Sequence, residues 1–316
     1  MGTSGTPAPR ANEAAGARTG AAANPATPPT EPLMPAEPVT IRTLRKMRDR
    51  GDRFACLTCY DATTARWLER GGVPVLLVGD TAAEVVLGFD RTIDMPLDVL
   101  IALTAGVKRG APRTLVMADM PFLSYTADDA EGVRNAGRFM TEGLADVVKV
   151  EADASQAALV ERMARAGIPV CAHVGSRPQQ AGLAGGYGAA GQTAEAGARV
   201  VADAVALERA GAVLLLVEAV PDEVAAEVVA RTRAPVIGIG AGQACHGQVL
   251  VLQDLLGMTD AAPRFAEPVA QLGAATQKAA AEWVRRVSSG RIGGRSYAMK
   301  PGESEKFRNL MGQRAE

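Results

Sequence analysis

The chain has 316 residues, 47% of them hydrophobic and 22% charged, with a formal net charge of -1. That is enough chain for a large core, in one big domain or two smaller ones, and it lacks the basic surface that nucleic acid as a main partner would need. No stretch reaches the roughly 18 apolar residues of a membrane span, and four cysteines are too few for a disulfide scaffold, so a reducing, cytoplasmic compartment is expected.

Residues 1–37 are rich in Ala, Gly, Pro and Thr, carry no hydrophobic periodicity, and read as a disordered tail. Met1-Gly2 with Thr6 matches the loose myristoylation pattern. Arg10 and Arg18 would suit a transit peptide, but Glu13, Glu31 and Glu37 do not, so disorder without targeting is the expectation. Met34 is a candidate alternative start.

Regular structure begins at Val39. A short basic helix over Thr40–Arg50 precedes a strand at Phe54–Cys59 and a helix at Asp61–Gly71, closed by Gly71-Gly72. Cys56 and Cys59 have CxxC spacing, but residues three apart on a strand face opposite ways, and reactive CxxC pairs sit at helix N-termini. Two packed cysteines are therefore expected.

The next strand, Pro74–Val78, ends abruptly in Gly79-Asp80-Thr81. A continuous apolar run of this kind fits a strand covered on both faces, as in a parallel sheet. Asp80 is then either a helix cap or a ligand-facing acid at the strand's C-terminal end. An irregular stretch over 81–94, a helix over Pro96–Arg109 and a strand over Thr114–Ala118 follow, the last ending in Asp119.

A helix from Thr126 to about Gly143 leads to the strand Asp146–Val150, ending in Glu151; a helix at Ser155–Ala166 leads to the strand Pro169–Ala172, ending in His173. A Gly-rich loop over 175–192 is longer than ordinary connections, which suggests function. Then come the helix Thr193–Ala210, the strand Val213–Val217 ending in Glu218, the helix Pro221–Arg233, and the strand Pro235–Ile239.

Gly238-Ile239-Gly240-Ala241-Gly242 has GxGxG spacing, not the dinucleotide GxGxxG, and comes late in the chain, so close backbone packing is the better reading. Nothing positions the adjacent Cys245 and His246 as nucleophile and base. A weak last strand is placed near Arg264-Phe265, with a closing helix from about Pro268 to Ser288 and a polar tail over 299–316.

Strands and helices thus alternate about seven times, the signature of an α/β protein with a parallel sheet. The pattern over 38–298 fits a (β/α)8 TIM barrel better than its alternative, an open doubly wound sheet.

Asp80, Asp119, Glu151, His173 and Glu218 end successive strands, and in a parallel barrel those ends share one face. Lys149, two residues before Glu151, points the same way. His173 could be a satisfied core histidine, but in this company a site role is favoured. Several facing carboxylates repel, and a divalent cation resolves that better than salt bridging alone. All-oxygen donors favour Mg2+, which keeps several waters beside one or two carboxylates. Such a cation suits a 2-oxo acid, whose α-proton a further carboxylate could take; Glu218, furthest along the chain from Asp80 and Asp119, is the candidate base.

The runs Phe54-Ala55 through Tyr60-Asp61-Ala62, Leu77-Val78-Gly79-Asp80, Ala118-Asp119-Met120-Pro121-Phe122, Val148-Lys149-Val150-Glu151, Pro169 through Gly175, Gly185-Gly186-Tyr187 and Pro235 through Gly242 come in a telling order. Together they resemble the ketopantoate hydroxymethyltransferase family over about residues 39–298. The resemblance implies a barrel of the phosphoenolpyruvate mutase/isocitrate lyase type, Mg2+, and transfer of a one-carbon unit from 5,10-methylenetetrahydrofolate to 2-oxoisovalerate in pantothenate synthesis.

It further implies that Asp80 and Asp119 ligate the metal and Glu151 holds it through water. Thr81 and Lys149 would bind the substrate carboxylate, with His173 lining the site and Glu218 acting as general base. Homo-oligomeric rings, commonly decamers, are implied as well.

The chain also departs from that family. Thr81 stands where Ser is usual, and Thr92-Ile93-Asp94-Met95-Pro96 replaces a Thr-Leu-Pro-Val-Thr run. The loop Gly185–Gln192 has lost two basic side chains and moved its glutamine, His246 stands where Asp is common, and Gln253 where His is common. Three readings follow: the transferase itself, a paralogue acting on another 2-oxo acid or one-carbon donor, or a non-catalytic subunit of the same fold.

Overall fold

The short apolar runs form eight strands: β1 (Phe54–Thr58), β2 (Val75–Val78), β3 (Leu115–Asp119), β4 (Val147–Glu151), β5 (Val170–Gly175), β6 (Leu214–Glu218), β7 (Val236–Ile239) and β8 (Gly247–Leu250). All neighbours are parallel, and β8 returns to β1 with Phe54 opposite Gly247 and Leu57 opposite Leu250. That pairing closes the barrel and rules out the open sheet. The structure is a computed structural model describing residues 37–260, 262–294 and 296–312. The tail expected over 1–37 therefore lies outside the described residues except for Glu37.

The eighth strand corrects one expectation. It lies at Gly247–Leu250, not near Arg264-Phe265. It starts only seven residues after β7, with no helix between, so a search for strand–helix alternation passes over it. The glycines of 238–242 make the tight return possible. A Cβ on Gly238 would fall 2.8 Å from Cys245 Sγ, and one on Gly240 would fall 2.9 Å from the Phe265 ring. They serve close packing, as their spacing suggested.

Alternation along the strands sorts side chains into two layers. Phe54, Cys56, Val75, Leu77, Leu115, Met117, Val147, Cys171, Leu214, Leu216, Ile237 and Val249 form the inner cluster. Cys59, Leu76, Val78, Val116, Val148, Val170, Leu215 and Val236 join the outer one, against the helices. Cys56 and Cys59 thus fall in different clusters, both free and buried.

The helix Ile41–Arg50, capped by Thr40, contributes Leu44, its one buried residue, to the inner cluster. There it meets the residues that begin the strands, so this helix stoppers the N-terminal end of the barrel. Phe54 fills the same floor because Gly247 opposite has no side chain; a Cβ there would collide with the Phe54 ring.

Beyond the barrel, the irregular stretches are partly helical: Ala82–Val85 within 81–94, and Ala181–Ala184 within the Gly-rich loop. The closing helix starts at Leu272 and buries no residue. The polar tail includes a helix, Glu303–Gly312, that is likewise exposed throughout.

Candidate active site

Inward positions on β3 to β6 change from apolar to polar toward the C-terminal end: Leu115, Met117, then Asp119; Val147, then Lys149 and Glu151; Cys171, then His173; Leu214, Leu216, then Glu218. With Asp80 and Thr81 just beyond β2, these side chains line one cavity of about 770 Å³ at the barrel mouth. Every residue named as a site candidate from the sequence is brought to this one place.

Asp80 does not cap the helix that follows. Thr81 occupies the cap position of Ala82–Val85, and no side chain caps that helix. Instead the Asp80 backbone N–H donates to Asp119 Oδ2 at 3.0 Å, and Asp80 Oδ2 accepts from Gln179 Nε2 at 2.9 Å. Asp119 Oδ1 lies 2.8 Å from Lys149 Nζ, off the hydrogen-bonding direction, so this buried oxygen is ion-paired but makes no hydrogen bond. Lys149 Nζ also lies 3.3 Å from His173 Nδ1.

Burial costs Lys149 charge stabilisation, but Asp119, Asp80 and Glu151 outweigh it and raise its pKa, so it stays an ammonium. Burial and the Lys149 charge push His173 well below its ordinary value, so its ring is neutral. An ammonium can only donate, so Nδ1 accepts and the ring proton is assigned to Nε2. Nε2 lies 3.4 Å from Glu218 Oε2 but is not aligned to bond it.

The acids carry more negative charge than Lys149 can match. Burial, and next the Asp119 charge, pushes Asp80 up to about 7. Burial and Asp80 raise Glu151 well above the usual carboxylate range. Burial likewise pushes Glu218 up to about 7, with Lys149 opposing it. Glu218 is the most accessible of the four acids, its side chain 24% exposed against 4% for Asp119 and 3% for Glu151.

The backbone supports that placement. Ala219, just after Glu218, takes a left-handed φ of 47°. Gly175, with φ 95°, lets β5 pass where a Cβ would lie 2.5 Å from the Glu218 carbonyl.

This donor set fits a divalent oxygen-loving cation. It offers carboxylates in excess of cationic side chains and a buried Asp119 oxygen with no hydrogen bond. Among the described residues no three His, Cys, Asp or Glu side chains are gathered tightly enough to make a complete metal cage. One or two direct carboxylates plus water is the habit of Mg2+, whereas a structural zinc site is closed by protein.

Sequence reasoning missed Gln179 and Tyr125. Gln179 Nε2 donates to Asp80 and to the Met120 carbonyl, its backbone N–H donates to Glu151 Oε2, and its Oε1 lies 2.9 Å from the Tyr125 hydroxyl. An uncharged glutamine beside a proline in a long loop gives little signal; only its place six residues after His173 pointed there.

The departures also separate in space. Gln253 lines the cavity with a buried Oε1 that makes no hydrogen bond. Tyr187 of the altered loop lines it too, whereas Gln192 lines a groove between helices Ala194–Arg209 and Asp222–Arg231. His246 sits at the opposite end, where its Nδ1 accepts from the Val236 N–H at 3.0 Å.

A family model described as ketopantoate hydroxymethyltransferase matches residues 38–294. The chain belongs to the ketopantoate hydroxymethyltransferase family. It is 45% identical over 246 residues to a 3-methyl-2-oxobutanoate hydroxymethyltransferase of Halorhodospira halophila, covering 78% of this chain and 89% of that one. It is 42% identical over 261 residues to the protein of the same name in Hyperthermus butylicus, covering 82% and 90%.

As a member of the ketopantoate hydroxymethyltransferase family the chain is a transferase. In fold it is similar to a phosphonopyruvate hydrolase solved with oxalate and Mg++, with a TM-score of 0.56 at 14% identity over 87% of this chain and 96% of that one. A 2,3-dimethylmalate lyase, a phosphoenolpyruvate mutase/isocitrate lyase superfamily member, gives 0.51 at 18% identity over 86% and 98%. These likenesses show a shared barrel fold. Among the described residues no helix is long and apolar enough to cross a membrane.

Proposed function

We propose that this site transfers a hydroxymethyl group from 5,10-methylenetetrahydrofolate to 3-methyl-2-oxobutanoate, giving ketopantoate for pantothenate synthesis. The observation that carries the reading is the convergence of Asp80, Asp119, Lys149, Glu151, His173 and Glu218 on one buried mouth of a family member. Asp80 and Asp119 would hold Mg2+, with Glu151 reaching it through water. Bound there, Mg2+ would act as a Lewis acid on the 2-oxo group and acidify the neighbouring C–H.

The chain's own groups do the rest. Lys149, held cationic, and Thr81 receive the substrate carboxylate. Glu218 takes the proton from C3. Its raised pKa of about 7 suits a base at neutral pH, and it is the acid most open to the cavity. The neutral His173 ring lies beside that carboxylate, its Nε2 3.4 Å from Glu218 Oε2. Water supplies the hydroxyl oxygen and its two protons pass to the folate nitrogens as their bonds to the methylene carbon break; C3 bonds to the one-carbon unit so released, and the proton held by Glu218 returns to the new alkoxide, leaving ketopantoate and tetrahydrofolate. Subunit rings, decamers included, belong to the same proposal.

Deuterium uptake at C3 of 3-methyl-2-oxobutanoate in D2O, followed by NMR, tests this. Exchange is expected with Mg2+ and not after chelation, and ketopantoate is expected once the folate donor is added. The changed Gly185–Gln192 loop and Thr81 favour, as a second reading, a different 2-oxo acid or donor. Exchange without folate-dependent product would select that reading. No exchange with any 2-oxo acid would leave only a non-catalytic role.

A further inference from the structure

Gln179 is buried, and its side-chain amide and backbone N–H are all spent on the acids of the mouth and their neighbours. Its Nε2 donates to two acceptors, Asp80 Oδ2 at 2.9 Å and the Met120 carbonyl at 3.0 Å. Its backbone N–H donates to Glu151 Oε2 at 3.0 Å. Its Oε1 has one partner among the described residues, the Tyr125 hydroxyl.

That hydroxyl accepts from the Glu151 backbone N–H at 3.1 Å and has a single proton to give. The proton has two acceptors in reach, Gln179 Oε1 at 2.9 Å and the Glu151 carbonyl at 3.1 Å. Oε1 is the nearer and has no other donor, so the proton belongs there. Tyr125 thereby fixes which end of the amide faces Asp80. A flipped amide would set its oxygen against Asp80 Oδ2 and the Met120 carbonyl, acceptor against acceptor, in a site without room for error.

We propose that Gln179, oriented by Tyr125, is the positioning residue for the metal-binding carboxylates. It commits Asp80 Oδ2 and Glu151 Oε2 to the protein, so that Asp80 Oδ1, which makes no hydrogen bond among the described residues, is presented to the cation. The inference rests on the metal reading proposed above. It also ties the Gly-rich loop to the metal, because Gln179 is at the loop's first turn, Pro178–Gln180. Partners that orient a ligand in this way typically contribute about 10–100-fold to metal affinity.

The test measures Mn2+ affinity of the full-length protein by paramagnetic resonance, with no substrate present, for the parent, Gln179→Leu and Tyr125→Phe. Gln179→Leu is expected to weaken Mn2+ at least tenfold, and Tyr125→Phe several-fold. Saturating Mg2+ should restore C3 exchange in Tyr125→Phe to within about twofold of the parent, a recovery that a general loss of structure would not allow. Affinities within twofold of the parent in both variants overturn the inference and leave the proposed function standing. A parent that binds no divalent cation overturns both. Should Gln179→Leu fail to fold, Tyr125→Phe alone decides: an unchanged affinity overturns the proposal.

Discussion

The two ends of the barrel are built from the same inward positions of the same strands, yet they solve opposite problems. At the floor, Leu44, Phe54, Leu115 and Leu214 belong to one buried apolar cluster, and Gly247 yields its side-chain space to a ring. Everything there is stabilised by burial and close packing. At the mouth, four residues further along, Asp119, Glu151 and Glu218 stand where Leu115, Val147 and Leu214 stood below. Burial now penalises the charges that function needs, and Lys149, with the Gln179 amide at Asp80, offsets them in part. Stability is concentrated at one end and chemical readiness at the other.

The sharpest way to break this division is to change one atom type at the mouth. Glu218→Gln keeps the shape and removes the base. C3 exchange should fall about a thousandfold, within the range usual for a lost general base. Mn2+ affinity should hold, because Glu218 is the acid least enmeshed in the hydrogen bonds of the site, and the melting temperature should hold at pH 5.5, where its carboxyl is protonated in the metal-free protein. Exchange at the parent rate would dismiss Glu218 as the base.

The matching change at the floor should do the reverse. Leu44 is fully buried, and Leu44→Ala should cost about 2–4 kcal/mol of unfolding free energy in urea, the usual toll for a core leucine. At temperatures where the variant stays folded, Mn2+ affinity should remain within about twofold. A change in affinity without a loss of stability would show that the two ends are not separable.

How much of this was legible before the fold was known follows the same line. The mouth announced itself because each acid ends an apolar run, and the Lys149–Glu151 spacing put both on one face. Charges that interrupt hydrophobic strands are conspicuous. The floor was nearly silent: the helix over Ile41–Arg50 looks merely basic, and its stopper role rests on Leu44. The strand β8 was misplaced because it follows β7 without a helix, and its Gly247-Gln248 start lacks an apolar run. Gln179 and Tyr125 were missed because their partners lie up to 99 residues away in sequence and neither is charged. Their importance comes only from whom they touch.

A final and gentler probe uses pH to tilt the balance between the ends. Asp80 and Glu218 are pushed from ordinary values of 3.8 and 4.5 up to about 7 in the folded, metal-free protein, chiefly by burial. At these two carboxyls the folded state therefore binds more protons than the unfolded chain between about pH 4 and 7, while His173, held neutral by burial, opposes this only below about pH 6.5. Where that holds, stability falls as pH rises. The contribution is complete below the unfolded values and gone once pH passes the folded ones. In EDTA, the melting temperature should drop on going from pH 5.5 to 8, on the order of 5 °C at roughly 2–4 °C per kcal/mol for a domain of this size. Mg2+ should remove most of the drop, because a cation takes over from the protons in neutralising the carboxylates. Leu44→Ala should shift the whole curve downward and leave its slope intact. A metal-free protein whose melting temperature rises over that interval would mean that the mouth acids ionise without cost, and the contrast between the two ends would lose its electrostatic basis.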